Sequence, residues 1–304
     1  MKVVLPLAGK GTRLRPHTYV TPKPLLRVGG RPVMSYILDD LKALGVHEIV
    51  FITGYLKEKI EAYVRAEYPE FLAHFVEQPV QNGPAGAVQL AEPFIDQELL
   101  IIFVDTLFDA DLSLVRRAPP DLAGIIWAKE VEDYQRFGVI VTDERRLMRR
   151  IVEKPKEPVS RLANIGIHYI RDWRLLFQGI DETLRRPPGP AGEYYLTDAF
   201  QFMIDRGARI LTAEAQGWYD CGRPETLLET NRHLLEAGQA RRPPERKAVR
   251  VHDPVRVADG VVLEDAEIGP NVTIEAGCVV RGSTLRDCII GERVTIERSR
   301  LHDS

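Results

Sequence analysis

The sequence predicts an α/β fold with a mostly parallel sheet, followed by a short β-helix. Three observations predict it. Short apolar runs alternate with amphipathic stretches through the first half of the chain, which is the pattern of βαβ units. A polar break carrying Pro243-Pro244 stands at 238–247 and reads as a linker. Beyond it, Val262, Ile268, Ile274 and Val280 recur every six residues with Gly269, Gly277 and Gly282 between them. An aliphatic repeat of six with glycine turns is the signature of stacked β-helix coils, whereas a hairpin pair would show a period of two.

The elements follow in order. Residues 3–8 form a first strand, and 32–44 a helix with Pro32 in its first turn and Gly45 as its stop. Residues 48–53 are a second strand, and 56–68 a helix whose apolar side carries Ile60, Tyr63 and Val64. A strand at 73–76 precedes the Gly83-Pro84 turn and a short helix over 87–90. The run 99–104 is a buried strand. In such a sheet ligands bind outside the carboxyl ends of the strands. In the repeat region, Cys278 and Cys288 read as core fillers of adjacent coils.

Composition sets the broad class. The chain has 304 residues, 41 Lys+Arg against 44 Asp+Glu and a formal net charge of −3, so no global charge points to nucleic acid or an anionic membrane. Three scattered cysteines without a C-x-x-C pair make neither a disulfide framework nor a structural zinc site. The aliphatic run 99–104 is far too short to span a bilayer. The apolar start at 3–8 ends within a few residues at Gly9, unlike a secretory leader. The expectation is a soluble, cytoplasmic protein of two domains.

The first strand runs into Leu7-Ala8-Gly9-Lys10-Gly11-Thr12-Arg13-Leu14-Arg15-Pro16. Small residues after a strand let backbone N–H groups approach a phosphate, and Thr12 and Arg13 add side-chain donors. The dinucleotide fingerprint fails here because Leu14 stands where its third glycine belongs, and a P-loop fails because Leu5 stands five residues before Lys10. Taken alone, the loop also fits a plain turn with a surface arginine. Thr21-Pro22-Lys23-Pro24 then holds a lysine between two prolines. That framing presents a point charge suited to a second anionic group.

These residues resemble the sugar-1-phosphate nucleotidylyltransferases, whose opening motif L-A-G-x-G-T-R-L-x-P-x-T, then P-K-x-L, is matched by 7–16, Thr18 and 22–26. The resemblance covers residues 1 to about 237. It is closest to glucose-1-phosphate thymidylyltransferases of the longer kind, which carry a C-terminal left-handed β-helix. It implies a Rossmann-like nucleotidyltransferase domain over 1–237, a linker over 238–250 and a left-handed β-helix over 251–304. It also implies Mg²⁺ as cofactor and a nucleoside triphosphate and a sugar 1-phosphate as substrates.

Site residues follow from the same resemblance. Leu7, Ala8, Gly9, Gly11, Thr12 and Arg13 would hold the triphosphate, and Lys23 and Lys154 would position phosphates. Asp105 follows the 99–104 run and Asp220 lies in Trp218-Tyr219-Asp220-Cys221-Gly222; by resemblance these two hold the metal. Taken alone, Asp105 fits a helix N-cap equally well. Val104 departs from the pattern, since the family usually has glycine before this aspartate. Gln78 and Gly83 match the residues that read a pyrimidine base; a glutamine amide pairs with both a carbonyl and an imide N–H. Glu153-Lys154-Pro155, Gly138 and Asn164 match the elements lining the sugar pocket, although a Glu-Lys pair by itself is usually a solvated surface pair. Glu193–Asp198 resembles the family's E-x-x-x-T-D element, with no role assigned to its residues.

The reaction implied is transfer of a nucleoside monophosphate, from dTTP first, to a sugar 1-phosphate, glucose 1-phosphate first. UTP or GTP and mannose 1-phosphate are the alternatives within the class. A non-catalytic regulator that binds nucleotide sugars is the alternative outside it, against which the set Arg13, Lys23, Asp105, Glu153, Lys154 and Asp220 argues. An acetyltransferase role for the β-helix lacks a general base, because no histidine falls inside the repeat before His302. The repeat reads instead as an assembly module of a homo-oligomer.

Overall fold

The computed structural model describes residues 1–189 and 192–304. The chain forms two compact units that each draw on separate segments. The first comprises Met1–Lys10, Leu38–Val104 and Phe108–Trp218; the second comprises Gly11–Ile37, Asp105–Leu107 and Tyr219–Ser304.

The first unit is built on a nine-stranded sheet. In chain order its strands are β1 (Lys2–Pro6), β2 (Glu48–Thr53), β3 (Leu72–Glu77), β4 (Leu99–Ile102) and β5 (Gly124–Glu130). They continue as β6 (Gly138–Thr142), β7 (Met148–Glu153), β8 (Leu162–Ile170) and β9 (Ile210–Glu214). The spatial order is β7-β6-β8-β4-β1-β2-β3, with β5 branching from β8 and β9 beside β5. β1 pairs in parallel with β2 and β4, and β2 with β3, as expected of βαβ units. The remainder is mixed: β8 runs antiparallel to β4, β5 and β6, and β6 to β7, while β9 is parallel to β5. A tight turn closed by Asp143 N–H on the Leu147 carbonyl joins β6 to β7, and so short a connection allows only antiparallel neighbours.

Val3, Val4 and Leu5 of β1 and all of β4 are completely buried. Near-continuous apolar strands of this kind are covered on both faces. One core packs helices Pro84–Gln89, Trp173–Arg185 and Leu196–Asp205 through Val88, Phe177, Ile180 and Phe200 against Val4, Ile101 and Ile126. β4 ends at Ile102, two residues short of the expected 104. Phe103 N–H instead donates to the Gly166 carbonyl at 3.0 Å, so Asp105 stands in the turn after the strand.

In the second unit, helix Pro224–Leu234 precedes three stacked parallel sheets. Val249 pairs with Ala266, Val255 with Val272 and Val262 with Val279, 17 residues apart, while Thr273 with Ile289, Val279 with Thr295 and Thr284 with Arg300 are 16 apart. Each of the three sides therefore takes about six residues, which is the left-handed β-helix anticipated from the repeat. Its interior is filled by Val255, Ile268, Val272, Val280 and Leu285, with Cys278 and Cys288 fully buried among them. The polar break is tied to the first coil: Arg241 N–H donates to the Val255 carbonyl and Arg242 pairs with Asp253 at 2.9 Å. Among the described residues, no helix is long and apolar enough to cross a membrane.

Candidate active site

In the second unit the polypeptide turns sharply at Gly11, which lies in the left-handed region at φ 60°. A side chain there would press on Thr18 Cγ2 at 3.0 Å and Lys23 Cβ at 3.2 Å. Thr18 Oγ1 donates to the Gly11 carbonyl at 2.8 Å, binding the motif to itself. Thr12 and Arg13 begin a 3-10 turn and are exposed. Lys23 opens a second 3-10 turn, and its ammonium lies 3.2 Å from Asp105 Oδ2.

Asp105 and Asp220 are coupled through their neighbours. Cys221 N–H donates to the Asp105 carbonyl at 2.9 Å, and Gly222 N–H donates to Asp220 Oδ1 at 2.7 Å. A Cβ on Gly222 would lie 2.7 Å from Asp220 Oδ1 and 3.4 Å from Lys23 Nζ. The glycine thus keeps open a space bordered by one carboxylate and the ammonium that the other carboxylate holds. Thr230 Oγ1 donates to the Asp220 carbonyl at 3.1 Å and steadies this turn. Burial pushes the Cys221 thiol up to about 12, so the free thiol stays neutral at neutral pH.

The first unit holds the other candidates in two groups. Leu7 and Ala8 are buried at the end of β1, with Leu7 N–H on the Ile52 carbonyl and Gln81 Nε2 donating to the Ala8 carbonyl at 2.7 Å. Gly9 is exposed, with open space where a Cβ would stand. Gln78 is buried after β3, and its Nε2 donates to Asn82 Oδ1 at 3.1 Å and to the Gly83 carbonyl at 3.3 Å. Both amide hydrogens are therefore committed within the loop, and the carbonyl oxygen remains as its acceptor. Gly83 is required by φ 106° and by close approach: a Cβ would come within 2.7 Å of Tyr194 N and O.

Gly138 and Glu153 face each other across β6 and β7. A Cβ on Gly138 would meet Thr197 Cγ2 at 2.8 Å and Glu153 Oε2 at 2.9 Å. Thr197 Oγ1 donates to Glu153 Oε2 at 3.2 Å. Burial raises the Glu153 pKa, with the Lys154 charge acting in the opposite direction. Lys154 Nζ donates to Tyr195 Oη at 3.3 Å and lies 4.7 Å from the centre of that ring. On β8, Asn164 Oδ1 accepts the Gly166 N–H at 2.9 Å and lies 2.8 Å from His168 Nε2. With its oxygen occupied, the amide keeps its N–H₂ group as a donor.

Gly138, Glu153, Lys154 and Thr197 thus form one cluster, and Lys23, Asp105 and Asp220 another. His168, beside Asn164, was not singled out by motif reading, while Tyr195, beside Lys154, lies in the Glu193–Asp198 element that had no role assigned. The spacing of 164, 166 and 168 along one strand, which puts all three on one face, was the available signal for His168.

The family model for nucleotidyl transferases matches residues 2–237. The bifunctional protein GlmU of Methanococcus aeolicus is 35% identical over 282 residues, covering 92% of this chain and 62% of its own length. The UTP–glucose-1-phosphate uridylyltransferase AglF of Haloferax volcanii is 32% identical over 241 residues, covering 78% of this chain and 97% of its own length. The chain thus spans just under two thirds of the length of the GlmU relative but nearly all of AglF. A crystal structure of a Bacillus anthracis protein assigned as a glucose-1-phosphate thymidylyltransferase superposes with a TM-score of 0.67 at 28% identity, covering 77% of this chain and 95% of that one.

Proposed function

The chain belongs to the nucleotidyl transferase family, and from that premise we propose that it transfers a nucleoside monophosphate from dTTP to glucose 1-phosphate, releasing pyrophosphate. The observation that carries the reading is the Lys23 ammonium held 3.2 Å from Asp105 beside the Asp220–Gly222 turn. A sugar phosphate is already mostly dianionic at pH 7. The reaction therefore needs charge neutralisation and alignment more than a base.

The sugar phosphate oxygen attacks the α-phosphorus in line. One P–O bond forms as the bond to the departing pyrophosphate breaks, without a covalent enzyme intermediate. Gly9, Gly11 and Thr12, following Leu7 and Ala8, cradle the triphosphate through backbone N–H groups, and Arg13 offsets charge on the leaving group. Lys23 and Lys154 position phosphates as point charges. Glu153 and Gly138 shape the sugar pocket, and Asn164 offers its N–H₂ to sugar oxygens. The Gln78 carbonyl and the Gly83 backbone read the base. Asp105 and Asp220 would hold Mg²⁺. The Asp220 carboxylate beside the space kept by Gly222, with Asp105 joined to it through Lys23, is a hard-oxygen donor set that suits a cation taking few protein ligands. When bound, the ion supplies charge neutralisation between two polyanions.

Residues 1–237 carry this activity in our reading, with 238–250 as linker and 251–304 as the β-helix module of a cytoplasmic homo-oligomer. The decisive experiment is a matrix of four nucleoside triphosphates against several sugar 1-phosphates with Mg²⁺, scored by pyrophosphate release. The dTTP–glucose 1-phosphate pair is expected to be fastest; no release from any pair would overturn the reading. Similarity to AglF favours a second reading, UTP as donor, and the same matrix separates the two. GTP or mannose 1-phosphate would appear there as well.

A further inference from the structure

The hairpin at 27–32 begins four residues after Lys23, and the β-helix holds it through buried polar groups. Gly29 turns the hairpin at φ 58°, and its N–H donates to Asn231 Oδ1 at 3.0 Å. Asn231 is completely buried on helix Pro224–Leu234. The same Oδ1 accepts Thr273 Oγ1–H at 2.7 Å, and Nδ2 donates to the Asn271 carbonyl at 3.3 Å. Thr273 and Asn271 belong to the β-helix, so one amide joins hairpin, helix and coil. A second link is ionic: Arg27 Nε lies 2.8 Å from Glu275 Oε2, and the Glu275 side chain is only 4% exposed. Arg27 also donates from Nη2 to the Gly30 carbonyl at 2.6 Å, closing the hairpin on itself.

Coil stacking requires none of these groups. Val272 and Ile274 already fill the interior of the solenoid, and a buried carboxylate is costly unless it is paired. Here the polar groups face a hairpin instead of another coil. From the hairpin the path to the lysine is short. Val33 N–H donates to the Leu26 carbonyl at 2.9 Å, and Leu26 N–H donates to the Lys23 carbonyl at 3.1 Å.

We propose that the β-helix is a positioning clamp for Lys23, acting through Thr273–Asn231–Gly29 and Glu275–Arg27 to fix the segment that carries the ammonium to Asp105. The inference rests on the proposed function for what Lys23 does in the reaction. Thr273, Glu275 and Asn231 touch no reacting atom and are positioning residues. A buried polar network has few alternative arrangements, so removing one donor loosens whatever it was holding.

The test uses full-length Thr273→Val and Thr273→Ser, with amide hydrogen exchange and steady-state kinetics measured well below unfolding. In the valine variant, amides within 25–33 are expected to exchange at least tenfold faster while those of the coils stay within twofold. Its kcat is expected to fall five- to tenfold with the KM for the nucleotide within twofold. Serine keeps the hydroxyl and is expected to restore both. Unchanged exchange at 25–33 in a folded valine variant overturns the clamp, as does an equal loss in the serine variant. If the valine variant does not fold, Glu275→Gln is measured in the same way at the ionic link, with the same expected and overturning results. Wild-type protein that releases no pyrophosphate overturns the proposed reaction instead, and the exchange measurement still decides the clamp.

Discussion

His168 is a buried base whose titration can be followed quantitatively. It lies on β8, only 1% exposed, with no hydrogen-bond partner at Nδ1. Because Asn164 Oδ1 is fixed as an acceptor by Gly166 N–H, the bond to His168 requires the proton on Nε2. Burial pushes its pKa down to about 3, against about 6.5 in the unfolded chain. A folded value below the unfolded one gives stability that is present above about pH 6.5 and is lost as pH falls towards 3. Between pH 7 and pH 5 the loss works out at about 2 kcal/mol, the next unit to pH 4 removes about 1.3 kcal/mol, and the unit to pH 3 about 1 kcal/mol. His168→Gln keeps a donor for Asn164 but has no charge to gain. Urea unfolding of both proteins at the two pH values, followed by tryptophan fluorescence, isolates the term. Trp127, Trp173 and Trp218 all lie in the same compact unit as His168. Glu153 and Asp198 have raised pKa values, each chiefly through burial. A fall in pH favours the folded state through them, but they are common to both proteins and cancel. Wild type is expected to lose about 2 kcal/mol more than the variant. Equal pH dependence in the two would refute a buried, neutral His168.

Three further outcomes are expected. Asp105→Asn should lower kcat by about 10²-fold or more, and near-normal turnover at saturating Mg²⁺ would remove Asp105 from the metal role. Gly138→Ala should cost about 1–3 kcal/mol and raise the KM for the sugar phosphate, because the new methyl meets Thr197 and Glu153 below 3 Å; unchanged melting temperature and KM would contradict the packing. Cys221, Cys278 and Cys288 are all free and buried. A thiol reagent should therefore label none of them in native protein and all three in denaturant, and rapid native labelling would show the thiols to be exposed.

Much of the site is legible in the chain because its parts are local. Gly11, Thr12 and Arg13 are contiguous, Lys23 is framed by its own prolines, and Glu153 and Lys154 are adjacent. The six-residue aliphatic repeat likewise announces the β-helix, since each coil side must point one side chain inward. Less legible were the antiparallel strands after β4, because their apolar runs look like those of the parallel half. The Gln78 donors, spent on Asn82 and Gly83, were equally hidden, because an amide's partners depend on how its loop closes.

By itself, then, the sequence determined the α/β class, the solenoid and the chemical types gathered for phosphate chemistry, all set by periodicity and by neighbours a few residues apart. Tertiary structure alone decided which charges meet. Lys23 reaches Asp105 across 82 positions of chain, and Thr273 reaches Asn231 across 42. The hairpin after Lys23 is anchored by a module that sequence reading assigned only to assembly. Such contacts have no local signature, because a hydrogen bond or ion pair depends on a few ångströms of separation in space and carries no mark of distance along the chain.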